Sequence, residues 1–210
     1  MKIIKQNVEL ISKTPYETVL QIIETAGRTC YKSEPNESFD EKRAEAFIKR
    51  ILDSKHESVI EHQSLTFRIT TNRAIANEIT RHRIASYSQE STRYCNYCKD
   101  KFDNEITVIE PLYDDCGTNE KYDEWYNTML DIEKTYLSLT NQGVKPDIVR
   151  GILPLDLKTE LVVTMNFRAL RHFISLRSSG HAHPQIREIA GQIYDILNER
   201  YPIFTTGLNM

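Results

Sequence analysis

Between Arg81 and Arg93 the chain places three cationic side chains, Arg81, His82 and Arg83, beside a run rich in hydroxyl and amide groups that closes on a fourth cation, Arg93. Guanidinium groups pair with phosphate oxygens through two parallel N–H donors, and nearby serine, threonine and backbone N–H groups donate to the same anion. The arrangement suits a phosphorylated ligand. Its competitor is a solvated basic helix end, because cations in a last helical turn also meet the negative end of the helix dipole. Arg177, after Leu176 on an otherwise apolar helical stretch, reads equally as an ordinary arginine with its stem on the core and its head in water.

Two nucleophiles stand close by. Cys95 follows Arg93 by two residues, where a guanidinium can lower a thiol pKa and raise the thiolate fraction. Ser91 is the hydroxyl alternative, but the sequence sets no histidine or lysine obviously beside it as a base. His56, Glu57, Glu61 and His62 invite a metal reading, yet the spacing is not HExxH, and on a helix the two histidines fall on different faces. Cys95-Asn96-Tyr97-Cys98 is a C-x-x-C that, with Cys116 or a histidine, would make a structural zinc site in a nucleic-acid or partner-binding module; no second C-x-x-C accompanies it. A thioredoxin-like role needs such a pair between a strand and a helix. Tyr87 and Tyr94 read as core or ring-packing residues, with stacking on a ligand ring as the lesser alternative.

Composition narrows the classes. A chain of 210 residues buries a substantial core as one domain. A net charge of −3 argues against a dedicated nucleic-acid or anionic-membrane binder, so a cationic patch is a local pocket for a small anion. No apolar run approaches the ~20 residues of a membrane span, and Met1 to Gln6 lacks a signal-peptide core. A cytoplasmic protein is expected, its four cysteines reduced thiols.

The elements that must carry these residues follow from periodicity. Ile3 to Ile11 reads as an opening strand; a helix starts at Thr14-Pro15, and Asp40 caps another carrying Ala44, Phe47, Ile48, Ile51 and Leu52 on one face. Ser64 to Thr71 alternates as a half-buried strand turned by Asn72, and a helix from about Arg73 runs into Arg81-His82-Arg83, whose continuation is a loop. Lys99 to Asn119 is a surface excursion with one short strand at Ile106 to Ile109. A long helix spans Glu120 to Gln142, ended by Gly143, and Pro146 starts a short one toward Arg150. Lys158 to Phe167 is a second central strand, followed by helices over Arg168 to Arg177 and from Pro184. These elements make an α+β fold, a single mostly helical domain over residues 1–210 with a small central sheet.

Arg81-His82-Arg83, seven residues, then Ser91 is the signature of the flavin-dependent thymidylate synthases, and the resemblance extends along the chain. His56-Glu57-Ser58-Val59-Ile60-Glu61-His62 resembles the family's HE-x-x-x-EH segment, and Arg150-Gly151-Ile152-Leu153-Pro154-Leu155 its R-x-x-LP-L segment. Asn166-Phe167-Arg168, Leu176-Arg177 and His181-Ala182 resemble its N-x-R, LR and HA segment.

The resemblance implies reductive methylation of dUMP to dTMP, a step of dTMP biosynthesis. The carbon donor is 5,10-methylenetetrahydrofolate, the reductant NADPH, and a tightly bound FAD carries the hydride, in a homotetramer with active sites shared between subunits. It further implies that Arg81, His82 and Arg83 contact FAD together with Ser58, Gln89, Asn166, Phe167, Arg168 and His172. The nucleotide is then expected against Glu78, Ile79, Thr80 and Arg81, against Gln89, Glu90, Ser91, Thr92 and Arg93, and against Arg150 and Arg177. Three positions depart from the best-known pattern: Glu78 where Gln stands, a carboxylate repulsive to phosphate; His172 where Asn is common; Gln89 where Glu is common. In the family, Arg177 abuts the uracil ring and favours ionisation of its N3, which replaces covalent attack by a cysteine, while Ser91 orients dUMP. A generic flavin reductase without folate chemistry is the remaining alternative, against which the nucleotide-binding arginines argue.

Overall fold

The computed structural model describes residues 1–12, 14–33, 38–99, 102–112 and 119–209. In chain order its elements are β1 (Lys2–Ile4), β2 (Asn7–Leu10), α1 (Tyr16–Tyr31), α2 (Glu41–Asp53), β3 (Ser64–Asn72), α3 (Arg73–Ile79), β4 (Ser86–Gln89), β5 (Thr107–Ile109), α4 (Asn119–Asn141), α5 (Pro146–Val149), β6 (Lys158–Asn166), α6 (Phe167–Arg177) and α7 (Pro184–Arg200). Short 3-10 turns occupy Glu57–His62, Arg150–Ile152 and Pro202–Thr205. A four-stranded sheet has the order β2-β3-β6-β4, and β1 pairs in parallel with β5.

The chain divides into two compact units. The first comprises Met1–Asn7, Thr70–Ile79 and Ser88–Leu161, the second Val8–Ile69, Thr80–Tyr87 and Val162–Met210. The first has its core around Tyr136, Trp125 and Met129 of α4, packed with Ile106, Val108 and Leu157. Gly143 stops α4 with φ +88°, a conformation open to a residue without Cβ. In the second, α1 and α2 bury Val19, Leu20, Ile23, Ala44, Phe47 and Ile48, and α6 and α7 bury Leu170, Phe173, Ile186, Ile189 and Ile193. Asp40 caps α2, its carboxylate accepting from the Arg43 N–H at 2.7 Å.

Both long strands end in an asparagine that caps the next helix: Asn72 accepts from the Ile75 N–H and Asn166 from the Ala169 N–H, each at 2.8 Å. This device turns each strand directly into α3 or α6 and aims the residues that follow.

Four expectations change. The opening strand is two, interrupted at Lys5-Gln6, where the buried Gln6 amide oxygen accepts from the Thr71 hydroxyl at 2.6 Å. The helix expected to include Arg81-His82-Arg83 stops at Ile79, its last buried residue; beyond it Arg81 and Arg83 are exposed and His82 alone of the three packs inward, against Phe173. The loop expected after it contains β4, a short polar strand that its β6 neighbour in the sheet holds and its own composition does not announce. Tyr94, expected in the core or in ring packing, is 77% exposed, with the Arg93 guanidinium 5.7 Å over its ring. The expectations that touch Cys116 and Gly117 lie outside the described residues.

Candidate active site

In the second unit, α6 presents Arg168, Ala169, His172 and Leu176 along one side, because residues three and four apart share a helix face. With Arg177, Asn166 and the segment Arg81 to Ile84 they line a cleft of about 650 Å³, and Glu57 and Glu61 of the 3-10 turn complete it. A concavity of this size accommodates a cofactor-sized ligand.

His82 organises its cationic wall. The Arg177 Nε–H donates to His82 Nε2 at 3.0 Å, and since arginine has no acceptor, that imidazole nitrogen carries no proton. Burial, then the charge of Arg177 and the proximity of His172, pull the His82 pKa down to about 4, so the ring is neutral near pH 7. The ring meets Phe173 edge-on at 4.8 Å, and the Tyr87 hydroxyl donates to the His82 carbonyl at 2.6 Å. Burial pushes the Tyr87 pKa up to about 12, which keeps that donor protonated. Ring and backbone of His82 are thus both held, and the Arg177 guanidinium takes its orientation from them.

Carboxylates balance part of the charge. Arg168 is paired with Glu61 and lies 4.0 Å from Glu57. Glu57 also meets Arg171 at 3.4 Å, but Arg171 is buried and donates to the carbonyls of Phe204 and Thr206, which makes it an internal strut.

The expected flavin contacts therefore sort themselves. Arg81, His82, Arg83, Asn166, Arg168 and His172 line one cleft, and Arg177 joins them. Ser58 is exposed on the neighbouring 3-10 turn. The Phe167 ring is fully buried and stacked on Phe204 at 3.9 Å, so its side chain belongs to the core. Thr80 precedes Arg81 in the turn after α3. Glu57 and Glu61 drew attention in the sequence as part of the HE-x-x-x-EH segment and of a metal reading, not as cleft-lining residues, and Ile84, Ala169 and Leu176 carried no signal beyond their neighbours.

The first unit holds Glu78 and Ile79 on α3, Gln89 at the end of β4, and Glu90 to Arg93 in the loop beyond. Gln89 Nε2 donates to the Thr159 hydroxyl at 3.3 Å. The N–H groups of Tyr94 and Cys95 both donate to the Ser91 carbonyl, which winds Ser91 to Cys95 into a turn, while Ser91 Oγ accepts from the Arg93 N–H at 3.3 Å. Thr92 is buried; Arg93 is exposed beside the Tyr94 ring, and Arg150 is exposed in its 3-10 turn. Cys95 and Cys98 are in no disulfide and pack against the first unit's core. No cluster of His, Cys, Asp and Glu suited to a metal ion occurs among the described residues.

The sequence matches the family described as thymidylate synthase complementing protein over residues 9–203. It is 33% identical over 190 residues to the flavin-dependent thymidylate synthase of Pyrococcus furiosus, covering 90% of this chain and 77% of that one. The structure is similar to that of the flavin-dependent thymidylate synthase of Helicobacter pylori complexed with FAD and dUMP, with a TM-score of 0.76 and 26% identity over 97% of this chain and 100% of that chain. It shares its fold with a UMP/dUMP methylase of Streptomyces cacaoi, with a TM-score of 0.75 and 22% identity over 97% of this chain and 95% of that chain.

Proposed function

Because the chain belongs to the flavin-dependent thymidylate synthase family, we propose that it methylates dUMP to dTMP with FAD as hydride carrier, 5,10-methylenetetrahydrofolate as carbon donor and NADPH as reductant. The observation that carries this reading is the cleft in which Arg81, Arg83 and Arg168 converge with Arg177, itself held by a neutral imidazole at 3.0 Å.

The residues present fit FAD. Three arginines suit a pyrophosphate, while Ile84, Ala169 and Leu176 offer apolar surface to the rings. When bound, FAD supplies the hydride that completes the new methyl group. Arg177 stabilises negative charge on the uracil ring from a fixed position, which requires no reorganisation during the reaction. His82 contributes by staying neutral: a protonated imidazole would repel Arg177 and lose its acceptor. On the dUMP side, Arg93 and Arg150 pair with the phosphate and the Ser91 turn orients it, with no covalent role for Cys95.

Sharing of sites in a homotetramer is part of the proposal, supported by the family resemblance and by the exposed Ile148 and Leu155 that flank Arg150, 67% and 64% accessible. So is the reading of residues 1–210 as one functional domain. No helix among the described residues is long and apolar enough to cross a membrane, and thiols at Cys30, Cys95 and Cys98 that are in no disulfide suit a reducing cytoplasm.

Purified protein tests the reading directly. It should be yellow and release FAD on denaturation, run as a tetramer in sedimentation, and oxidise NADPH in a manner dependent on both dUMP and methylenetetrahydrofolate, with dTMP as product. NADPH oxidation indifferent to dUMP would return the generic flavin reductase.

A further inference from the structure

Glu90 immediately precedes Ser91 and lies close to Arg93 in sequence, both assigned above to dUMP. A carboxylate so close to a bound phosphate is repulsive unless it is neutralised. Its side chain is 14% exposed and meets Lys158 Nζ at 3.0 Å. The Tyr97 hydroxyl donates to its other oxygen at 3.2 Å. The Glu90 N–H donates to the Glu160 carbonyl at 2.9 Å, which ties the start of the Ser91 turn to β6. Lys158, the first residue of β6, is 20% exposed and also reaches Glu160 at 2.6 Å. Burial alone would lower its pKa, but the hydrogen bonds to Glu160 and Glu90 outweigh that and raise it, so the ammonium persists at neutral pH. Burial and then Glu90 likewise hold the Tyr97 phenol well above its usual range, so it remains a donor.

We propose that Lys158 and Tyr97 are positioning residues for nucleotide binding: they keep the Glu90 carboxylate neutralised within the first unit and so hold the Ser91 to Cys95 turn ready for the dUMP phosphate. The inference rests on the dUMP reading above. It assigns Glu90 an anchoring role in place of the direct side-chain contact that the family resemblance implied, and it gives two residues outside the family's motifs a part in substrate affinity.

Full-length FAD-loaded enzyme carrying Lys158→Met, Lys158→Arg, or Lys158→Met with Glu90→Gln provides the test, read by dUMP titration and steady-state kinetics. Lys158→Met should raise Kd and KM for dUMP about tenfold, as expected for one unscreened like charge, and change kcat at saturating dUMP less than about twofold. Lys158→Arg should restore most of the affinity. Removing the Glu90 charge in the double variant should bring KM to within about threefold of wild type, since only the solvent-exposed Glu160 carboxylate then lacks its lysine; a purely structural Lys158 would lower unfolding stability in Lys158→Met and leave KM for dUMP unchanged. A double variant as weak as Lys158→Met, or a Lys158→Met enzyme with wild-type KM, overturns the proposal. Should Lys158→Met lose cooperative unfolding, Tyr97→Phe decides, with a KM rise of about threefold from one lost hydrogen bond supporting it and an unchanged KM overturning it. Wild-type enzyme in the same titration reports separately on dUMP binding itself.

Discussion

Arg177 and Arg168 in the second unit's cleft have partners already in place, an imidazole nitrogen at 3.0 Å and the Glu61 carboxylate. In the first unit's loop the order is reversed. There the carboxylate, Glu90, is satisfied internally by Lys158 and Tyr97, while Arg93 and Arg150 are exposed. The first arrangement is a preformed concavity whose cations are oriented before a ligand arrives, the second a fixed backbone turn beside solvated cations. Exposed arginines contribute little until a ligand covers them and removes water. The cleft is therefore expected to dominate the chemical step, and the loop to dominate affinity for dUMP.

The strongest way to break that contrast is Arg177→Ala. It should lower kcat for dTMP formation by about 100- to 1,000-fold, the usual loss for a preorganised electrostatic group, with FAD still bound. Near-normal kcat with raised KM would move Arg177 to the affinity side.

Next come Arg150→Ala and Arg93→Ala, which should weaken dUMP binding by about 2–4 kcal/mol while flavin content stays unchanged. Isothermal titration at two salt concentrations checks this, and wild-type affinity for Arg150→Ala would remove that residue from the phosphate site.

A smaller effect belongs to His82. Its folded pKa of about 4 lies below the ordinary 6.5, so between those values the unfolded chain binds more protons and stability rises with pH. Urea unfolding should thus show stability falling as pH drops from about 6.5 toward 4, more steeply in wild type than in His82→Gln, which keeps an acceptor but cannot titrate. Equal slopes would mean that the imidazole is not held neutral.

The smallest effect is expected at the thiol. Cys95→Ala should keep dTMP formation within about twofold of wild type, and Ser91→Ala should keep a reduced but measurable rate, because neither is asked to attack the ring. A folded, flavin-loaded Cys95→Ala enzyme without activity would restore covalent catalysis and place the chemistry in the loop.

Much of this was readable along the chain because it depends on local rules. The alternation of Leu65, Phe67 and Ile69 specifies β3, and the α6 spacing puts Arg168, His172 and Leu176 on one side. Asp40 announces its helix start by residue type. What escaped was set by distant partners. Nothing in Ser86-Tyr87-Ser88-Gln89 demands a strand, and nothing in Arg81-His82-Arg83 announces that α3 has already ended at Ile79. The ring of Phe167 stands beside the motif asparagine, and only the fold shows that it stacks on Phe204 in the core.

The amino-acid sequence alone thus determined the types of group available, their order, and the family whose chemistry they serve. Only the tertiary structure decided which of those groups are neutral, which are paired and which are exposed. His82 and Arg177 meet across 95 residues, and Glu90 and Lys158 across 68. Protonation and charge balance follow from burial and from neighbours brought together by folding, and neither is a property of a residue's place along the chain.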